Sequence, residues 1–524
     1  MKTHALTPVL DLAIVGAGVS GLYSGWRWLT SPQGQGSQTA VFELSKRVGG
    51  RLLSVTPPGM PEARIELGGM RFTTGQKMVQ ALVAYLQLET EPFAVSEPPN
   101  MAYLRGQHLR TADLSHPDKV PYDIPEADYD GFETGFTALA AERYLRHVLH
   151  KPHVDLKTVD WDAVAAKGRY QGYSVMDLTM RYIYNNSVSH EAFQFAEDTS
   201  GYDSIYYTWN AADGFPWNLD DYGASIEYKR LKEGYETVPT TLEARYVAAG
   251  GQVHFNHRLV RFDTITLEDG SQGVAMHMEI DGQPKEVHAR RLILAMPRRS
   301  LELLEQTGDV LGPHRPDVHK LIGSVTPIPL FKLALCYRHR WWEELGITQG
   351  QSVTDLPVRQ CYYWPVGDDT KAGAILIYND GQDLDYWAGL RRHPDKFQNE
   401  SHEPGGNLPQ DEWREHPAPA LMVHEAHRQL LAIHGMEDTP DRRPYAAAYR
   451  DWGDDPFGGG ANFWPQYVDS RDVSKRIVQP VHGKPVYICG EAYSHAQGWV
   501  EGALATAEDM LQNHLGLPPP PFDY

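Results

Sequence analysis

Gly16, Gly18 and Gly21 follow an apolar run, and Glu43 closes the next apolar run 22 residues after Gly21. A glycine turn of this spacing lets bare backbone approach a pyrophosphate, which rests on the positive N-terminus of the following helix while the acid takes ribose hydroxyls. At the other end of the chain, Val486-Tyr-Ile-Cys-Gly490-Glu491 reads as a strand running into an acidic turn, and Gly498-Trp499 then opens a helix. Each segment is ordinary alone. As two ends of one site they imply FAD, with oxidase chemistry at its flavin ring.

Four further residues could act on a substrate. Arg71 ends Leu67-Gly-Gly-Met-Arg71, and a guanidinium offers the planar fork that pairs bidentately with a carboxylate. Lys332 stands among Pro329, Leu330, Phe331, Leu333, Ala334 and Leu335, where a charge needs a reason to be. Strand alternation would turn Lys332 and Ala334 to one face and Phe331 and Leu333 to the other. Tyr378 and Asp380 are two residues apart in a second β-like run and would share a face.

These residues need several elements to hold them. The chain has 524 residues, too many for one core. The expected fold is α/β: a Rossmann-like FAD-binding domain from residues 8–58, 237–324 and 476–524, a mixed-sheet substrate domain from 59–112 and 325–475, and a helical insert at 113–233. A helix is expected at 134–149 and another at 238–249, and the polar, proline-bearing stretch 393–419 reads as an exposed loop. The last helix should bury Val500, Ala503, Leu504, Ala507 and Leu511.

Composition excludes other classes. The net charge of −20 argues against nucleic acid and anionic membrane. Cys336, Cys361 and Cys489 are far apart and show no metal or disulfide spacing, so they are expected as buried thiols, with no metal site. The apolar run near the N-terminus is the first strand of the nucleotide fold, not a leader, and no stretch reaches the roughly 20 apolar residues of a membrane span. Cytoplasmic residence is the default expectation, with export of a processed form left open.

On the glycine turn with Glu43, Gly49-Gly50-Arg51, Leu67-Gly-Gly-Met-Arg71, Lys332, Tyr378 and Gly490-Glu491 with Gly498-Trp499, the chain resembles the flavin amine oxidase family, and within it the L-amino acid oxidases. The resemblance implies cofactor contacts from Gly16, Gly18, Gly21, Glu43, Gly50, Arg51, Gly69, Met70, Arg71, Leu259, Glu491, Gly498, Trp499 and Val500. It assigns the substrate carboxylate to Arg71 and Tyr378, a water beside the flavin to Lys332, a wall of the substrate site to Gly498 and Trp499, and the ribityl chain to Glu491. Two departures stand out. Residues 206–227 lack the histidine that snake-venom members place in the helical domain, and Gly458-Gly-Gly-Ala461 lacks the cysteine through which monoamine oxidases attach FAD, so the cofactor should be noncovalent.

The expected reaction is oxidative deamination of an L-α-amino acid by dioxygen, giving a 2-oxo acid, ammonia and hydrogen peroxide. Asp380, with one of Asp203, Asp213, Asp220 and Asp221, leans the expectation to lysine and arginine, while abundant tryptophan and tyrosine also suit aromatic or broad specificity. An amino acid 2-monooxygenase, a polyamine or monoamine oxidase, and a catalytically silent flavoprotein are the alternatives. The expected partners are the amino acid, dioxygen and a second copy in a homodimer.

Overall fold

The computed structural model describes residues 9–221, 226–367, 370–401 and 411–524. Leu12–Val15 is buried throughout, as a strand covered on both faces must be. It is the centre of a parallel sheet in the order Gln252–His254, Thr39–Phe42, Leu12–Val15, Leu292–Leu294, Val486–Ile488. Three distant stretches of chain therefore supply one sheet. The helix Val19–Leu29 is buried along its whole length and packs against the helices Thr237–Ala248 and Val500–Asn513. Arg27 closes that contact, donating through Nε and Nη2 to Glu508 at 3.0 and 2.8 Å, and the Tyr23 hydroxyl donates to the same carboxylate at 2.5 Å.

A second, mixed sheet runs Ala446–Asp451, Leu330–Tyr337, Gly373–Asp380, Gln360–Trp364, Gly350–Thr354, Met101–Leu104, Gln107–Arg110. Its faces differ because side chains alternate along each strand. Phe331, Leu333 and Leu335 pack with Met422, Ala426 and Leu430 of the helix Ala420–His434. Ala334, Cys336 and Leu376 point the other way, onto Val55, Ile65, Leu67 and Met70. Lys332 follows the even positions, so its ammonium is carried toward the 65–71 segment rather than into the helix-covered core.

Several expected elements need correction. The helix expected at 134–149 begins at Phe136, because Gly135 at φ +88° breaks the chain between Asp130–Thr134 and Phe136–Leu149. The insert at 113–233 is largely helical, but Tyr228–Leu231 is a strand paired with Phe72–Thr73 and Thr90–Pro92. The stretch 393–419 contains the helix Asp411–Arg414, whose Trp413 is buried, while residues 402–410 lie outside the described residues. Val500 and Ala503 are not core. They line a cavity, while Leu504, Ala507 and Leu511 are buried in the helix contact.

All three cysteines are buried and free. Among the described residues no helix is long and apolar enough to cross a membrane, and no cluster of three or more potential metal ligands occurs.

Candidate functional site

One cavity of about 340 Å³ runs from the glycine turn to the face of the second sheet that carries Lys332. Gly16, Gly18, Glu43, Gly50, Arg51 and Leu259 line one end, and Arg71, Lys332, Tyr378 and Asp380 line the other. Gly69, Met70, Glu491, Gly498, Trp499 and Val500 lie along it. Gly21 lines no part of it. It packs the turn instead, since a Cβ there would sit 2.0 Å from the Gly16 carbonyl oxygen.

The nucleotide end is shaped by what is missing from its side chains. Gly16 holds φ +107°, and a Cβ would fall 2.5 Å from the Ala295 carbonyl oxygen. Gly18 is the N-cap of the helix Val19–Leu29, has no side chain to cap it, and the first turn carries no acid. A Cβ on Gly18 would meet nothing closer than 4.0 Å, so the space before the helix N-terminus is open to an anion. Glu43 accepts from the backbone N–H of Ala17 at 2.8 Å and of Ser45 at 2.9 Å, which fixes its carboxylate at the edge of that space. Bare backbone, an uncapped helix N-terminus and an oriented acid together fit a dinucleotide such as FAD.

Glu491 organises the middle. Its carboxylate accepts from Asn462 N at 2.9 Å, Asn462 Nδ2 at 3.2 Å, Gly498 N at 2.8 Å and Arg51 Nη1 at 2.7 Å. Its expected work on a ribityl chain is thus joined by a second job, fastening the strand Ala461–Phe463 and the turns at Arg51 and Gly498 to each other. Gly498 takes φ +82° in that network and puts Trp499 at the N-cap of the last helix. Trp217, absent from the sequence reading, comes within 6.4 Å of the Trp499 ring centre and donates its indole N–H to Gln497 O at 3.0 Å. Phe463 stacks on Trp209 at 3.8 Å, so the cavity has an aromatic wall here.

At the other end, Arg71 is 4 % exposed and set among rings. Its guanidinium carbon lies 4.3 Å from the centre of Tyr228, 5.6 Å from Phe93 and 5.8 Å from Tyr362. Tyr362 in turn shares a hydrogen bond of 2.9 Å with Tyr202, whose ring meets Tyr378 edge-on at 5.2 Å. Lys332 pairs across the sheet with Tyr378 on one side and Arg450 on the other. Its ammonium donates to Gly68 O and lies 4.9 Å from the Tyr378 ring centre. Burial pushes the lysine well below its usual range, with Arg71 adding to the push and Glu66 opposing it. Burial likewise holds the Tyr378 phenol far above its usual value, so it remains an O–H donor.

Tyr378 and Asp380 share the cavity face of one strand. Asp380 has partners there: the Ser204 hydroxyl and the Asp203 N–H donate to it. Burial raises both acids, Asp203 to about 7, and Arg359 opposes the shift in each. Arg359 grips Asp203 at 2.9 Å and Asp198 at 3.2 Å. Asp213 is removed from the channel candidates because it is held by Asn210, Ser470 and Arg471. Asp220 is on the surface, and the Asp221 side chain and residues 222–225 lie outside the described residues.

Sequence reasoning missed Tyr202, Ser204, Trp217, Tyr228, Tyr362 and Phe463. Only Tyr362 carried a usable signal, the aromatic run Gln360-Cys-Tyr-Tyr-Trp364 opposite the Tyr378 strand.

Comparison with known proteins gives a consistent result. Residues 20–400 match the family described as flavin containing amine oxidoreductase. Aplysianin-A of Aplysia kurodai is 27 % identical over 97 % of this chain and 90 % of its own length. Achacin of Lissachatina fulica is 24 % identical over 97 % and 93 %, and an L-amino-acid oxidase of Crotalus adamanteus is 24 % identical over 72 % and 68 %. Among solved structures, a putrescine oxidase bound to putrescine superimposes with a TM-score of 0.68 at 17 % identity, covering 97 % of this chain and all of that one. Cyclohexylamine oxidase from Brevibacterium oxydans gives 0.66 at 16 % identity, covering 97 % and 99 %.

Proposed function

The chain belongs to the flavin containing amine oxidoreductases, and from that premise we propose that it oxidises L-α-amino acids to 2-oxo acids, releasing ammonia and reducing dioxygen to hydrogen peroxide. The observation that carries the reading is a buried guanidinium in an aromatic box at the Lys332 end of the cavity. A carboxylate about 4 Å from such a group gains about 4 kcal/mol at an effective dielectric of about 20, and a substrate ammonium loses as much. An α-amino acid has the carboxylate to pay that toll. A diamine or a simple monoamine does not.

Bound in the cavity without a covalent link, FAD supplies the two-electron acceptor for the Cα hydrogen and the route to dioxygen. The protein's own residues do the positioning. Arg71 and the Tyr378 hydroxyl hold the carboxylate, which turns Cα and the amine to one side. Lys332, pushed down by burial, anchors the polar floor by donating to Gly68 O. Trp499 and Trp217 wall the site against bulk water. Loss of hydride from Cα and a proton from nitrogen gives an imine, which water hydrolyses to the oxo acid and ammonia.

For the side chain, the reading favours lysine and arginine. Asp380 is a cavity acid whose bonded partners are neutral donors, so a substrate cation would complete its charge. The Trp217, Phe463 and Trp499 wall supports a second reading, an enzyme that accepts aromatic or many side chains.

Anaerobic mixing of the holoenzyme with a panel of L-amino acids, putrescine and cyclohexylamine decides the matter. Bleaching of the flavin by amino acids, with peroxide in air, is expected. Bleaching by the amines alone would overturn the reading, and an amide in place of the oxo acid would identify a monooxygenase.

A further inference from the structure

Glu66 is buried as deeply as Lys332, each 2 % exposed. It lies in the short strand Ile65–Glu66, opposite Ser54 in an antiparallel pair, and two residues before Gly68, whose carbonyl accepts the hydrogen bond of Lys332. The Ser54 hydroxyl donates to its carboxylate at 2.7 Å and the Tyr235 N–H at 2.6 Å. Two neutral donors do not offset a fully buried carboxylate, and the cations that act on it are Lys332 and Arg230, of which Arg230 is already paired with Glu91. Lys332, for its part, is pushed toward neutrality by burial and by the Arg71 guanidinium at the end of the 65–71 segment.

We propose that Glu66 is the counter-charge of Lys332, a positioning residue that decides how much of the lysine stands at the flavin end of the cavity as an ammonium. The assignment rests on the reading of this cavity as a flavin site, and not on which amine is oxidised there. The groups facing the pair are Arg71 and Tyr378 toward the cavity, Arg230 of the strand Tyr228–Leu231, itself paired with Glu91, and Glu236 behind Ser54, itself paired with Arg47 at 3.2 Å. Burial drives both members toward neutrality, Glu66 upward and Lys332 downward, and each draws the other back toward its charged form. Removal of the carboxylate therefore leaves Lys332 with repulsion from Arg71 and no opposing attraction.

Glu66→Gln keeps the shape and the acceptor for Tyr235 while removing the charge, and Glu66→Asp keeps the charge. The flavin absorbance of the resting holoenzyme is titrated between pH 5 and 10 without substrate, so the outcome stands even if no amino acid is oxidised. The titration that Lys332→Met abolishes is expected to move down by at least one pH unit in Glu66→Gln and to return toward wild type in Glu66→Asp. A double-mutant cycle of Glu66→Gln with Lys332→Met, read by urea unfolding of the flavin-free protein, is expected to show at least tenfold coupling in the unfolding constant. Coupling of less than twofold, or an unmoved titration in a Glu66→Gln protein that binds flavin normally, would overturn the proposal.

Discussion

The guanidinium carbon of Arg71 lies 4.3 Å from the centre of the Tyr228 ring, and its Nη1 donates to the Tyr362 hydroxyl at 3.4 Å. A ring face and a hydroxyl fix the plane of the fork, and a lysine has no plane to fix. Arg71→Lys should therefore lower kcat/KM for amino acids by ~1.5–3 kcal/mol, roughly tenfold to more than a hundredfold. Flavin content should not change. Steady-state kinetics with a flavin-to-protein ratio checks both, and full activity in Arg71→Ala would remove the carboxylate assignment.

Asp380→Asn should raise KM for lysine and arginine by tenfold or more, on the ~1.5–3 kcal/mol scale of a charged hydrogen bond. Leucine and phenylalanine should be oxidised as well as before, or better, because the change relieves them of a buried charge. Equal effects on all substrates would mean that Asp380 serves only to tie Ser204 and Asp203 to the sheet.

Gly16→Ala should cost the protein its cofactor. The new methyl would fall 2.5 Å from the Ala295 carbonyl oxygen at a backbone φ of +107°, a conformation that costs a non-glycine residue ~1–3 kcal/mol before any clash is counted. Thermal unfolding and the flavin-to-protein ratio should both fall. In the parent protein, acid precipitation should release all the yellow colour to the supernatant, because the bond to FAD is noncovalent.

Acid should weaken the fold through two buried histidines. Burial pushes His427 and His434 down to about 4, and His434 is locked neutral, accepting from the Tyr363 hydroxyl at 2.5 Å while its Nδ1–H donates to Leu430 O at 2.6 Å. Their folded values lie below the unfolded one, so the stability they contribute is complete above about pH 6.5 and is lost as pH falls toward 4. At most ~3.5 kcal/mol is at stake for each. Urea midpoints should drop between pH 6.5 and 5, and His427→Gln should flatten that slope.

What the chain made legible was local. The glycine turn with Glu43 and the Gly490-Glu491 turn announce themselves through spacing alone, and Lys332 through a charge in an apolar run. The box around Arg71 does not, because Tyr228 and Tyr362 stand on strands of different sheets and Phe93 follows the strand Thr90–Pro92, so they meet only when those sheets are packed. Asp380 shows both sides of the matter. Period two put it on the face of Tyr378, and both line the cavity, yet nothing in a strand's periodicity could reveal Ser204, whose helix arrives from another part of the chain. The same distance hid the second job of Glu491, since its donors Asn462 and Arg51 are neighbours only in space.

The parallel sheet has a consequence for how the protein is made. Leu292 is flanked by Ala13 on one side and Val486 on the other, and Arg27 of the first helix is neutralised by Glu508 of the last. A ribosome that has delivered more than nine-tenths of this chain has still not delivered the edge strand or the partner of that buried arginine. Contacts of such long range close late. Until then the nascent protein must carry an unfinished sheet edge and an uncompensated cation, so the interval before Val486–Ile488 and Glu508 emerge is when chaperones and free cofactor have the most to do.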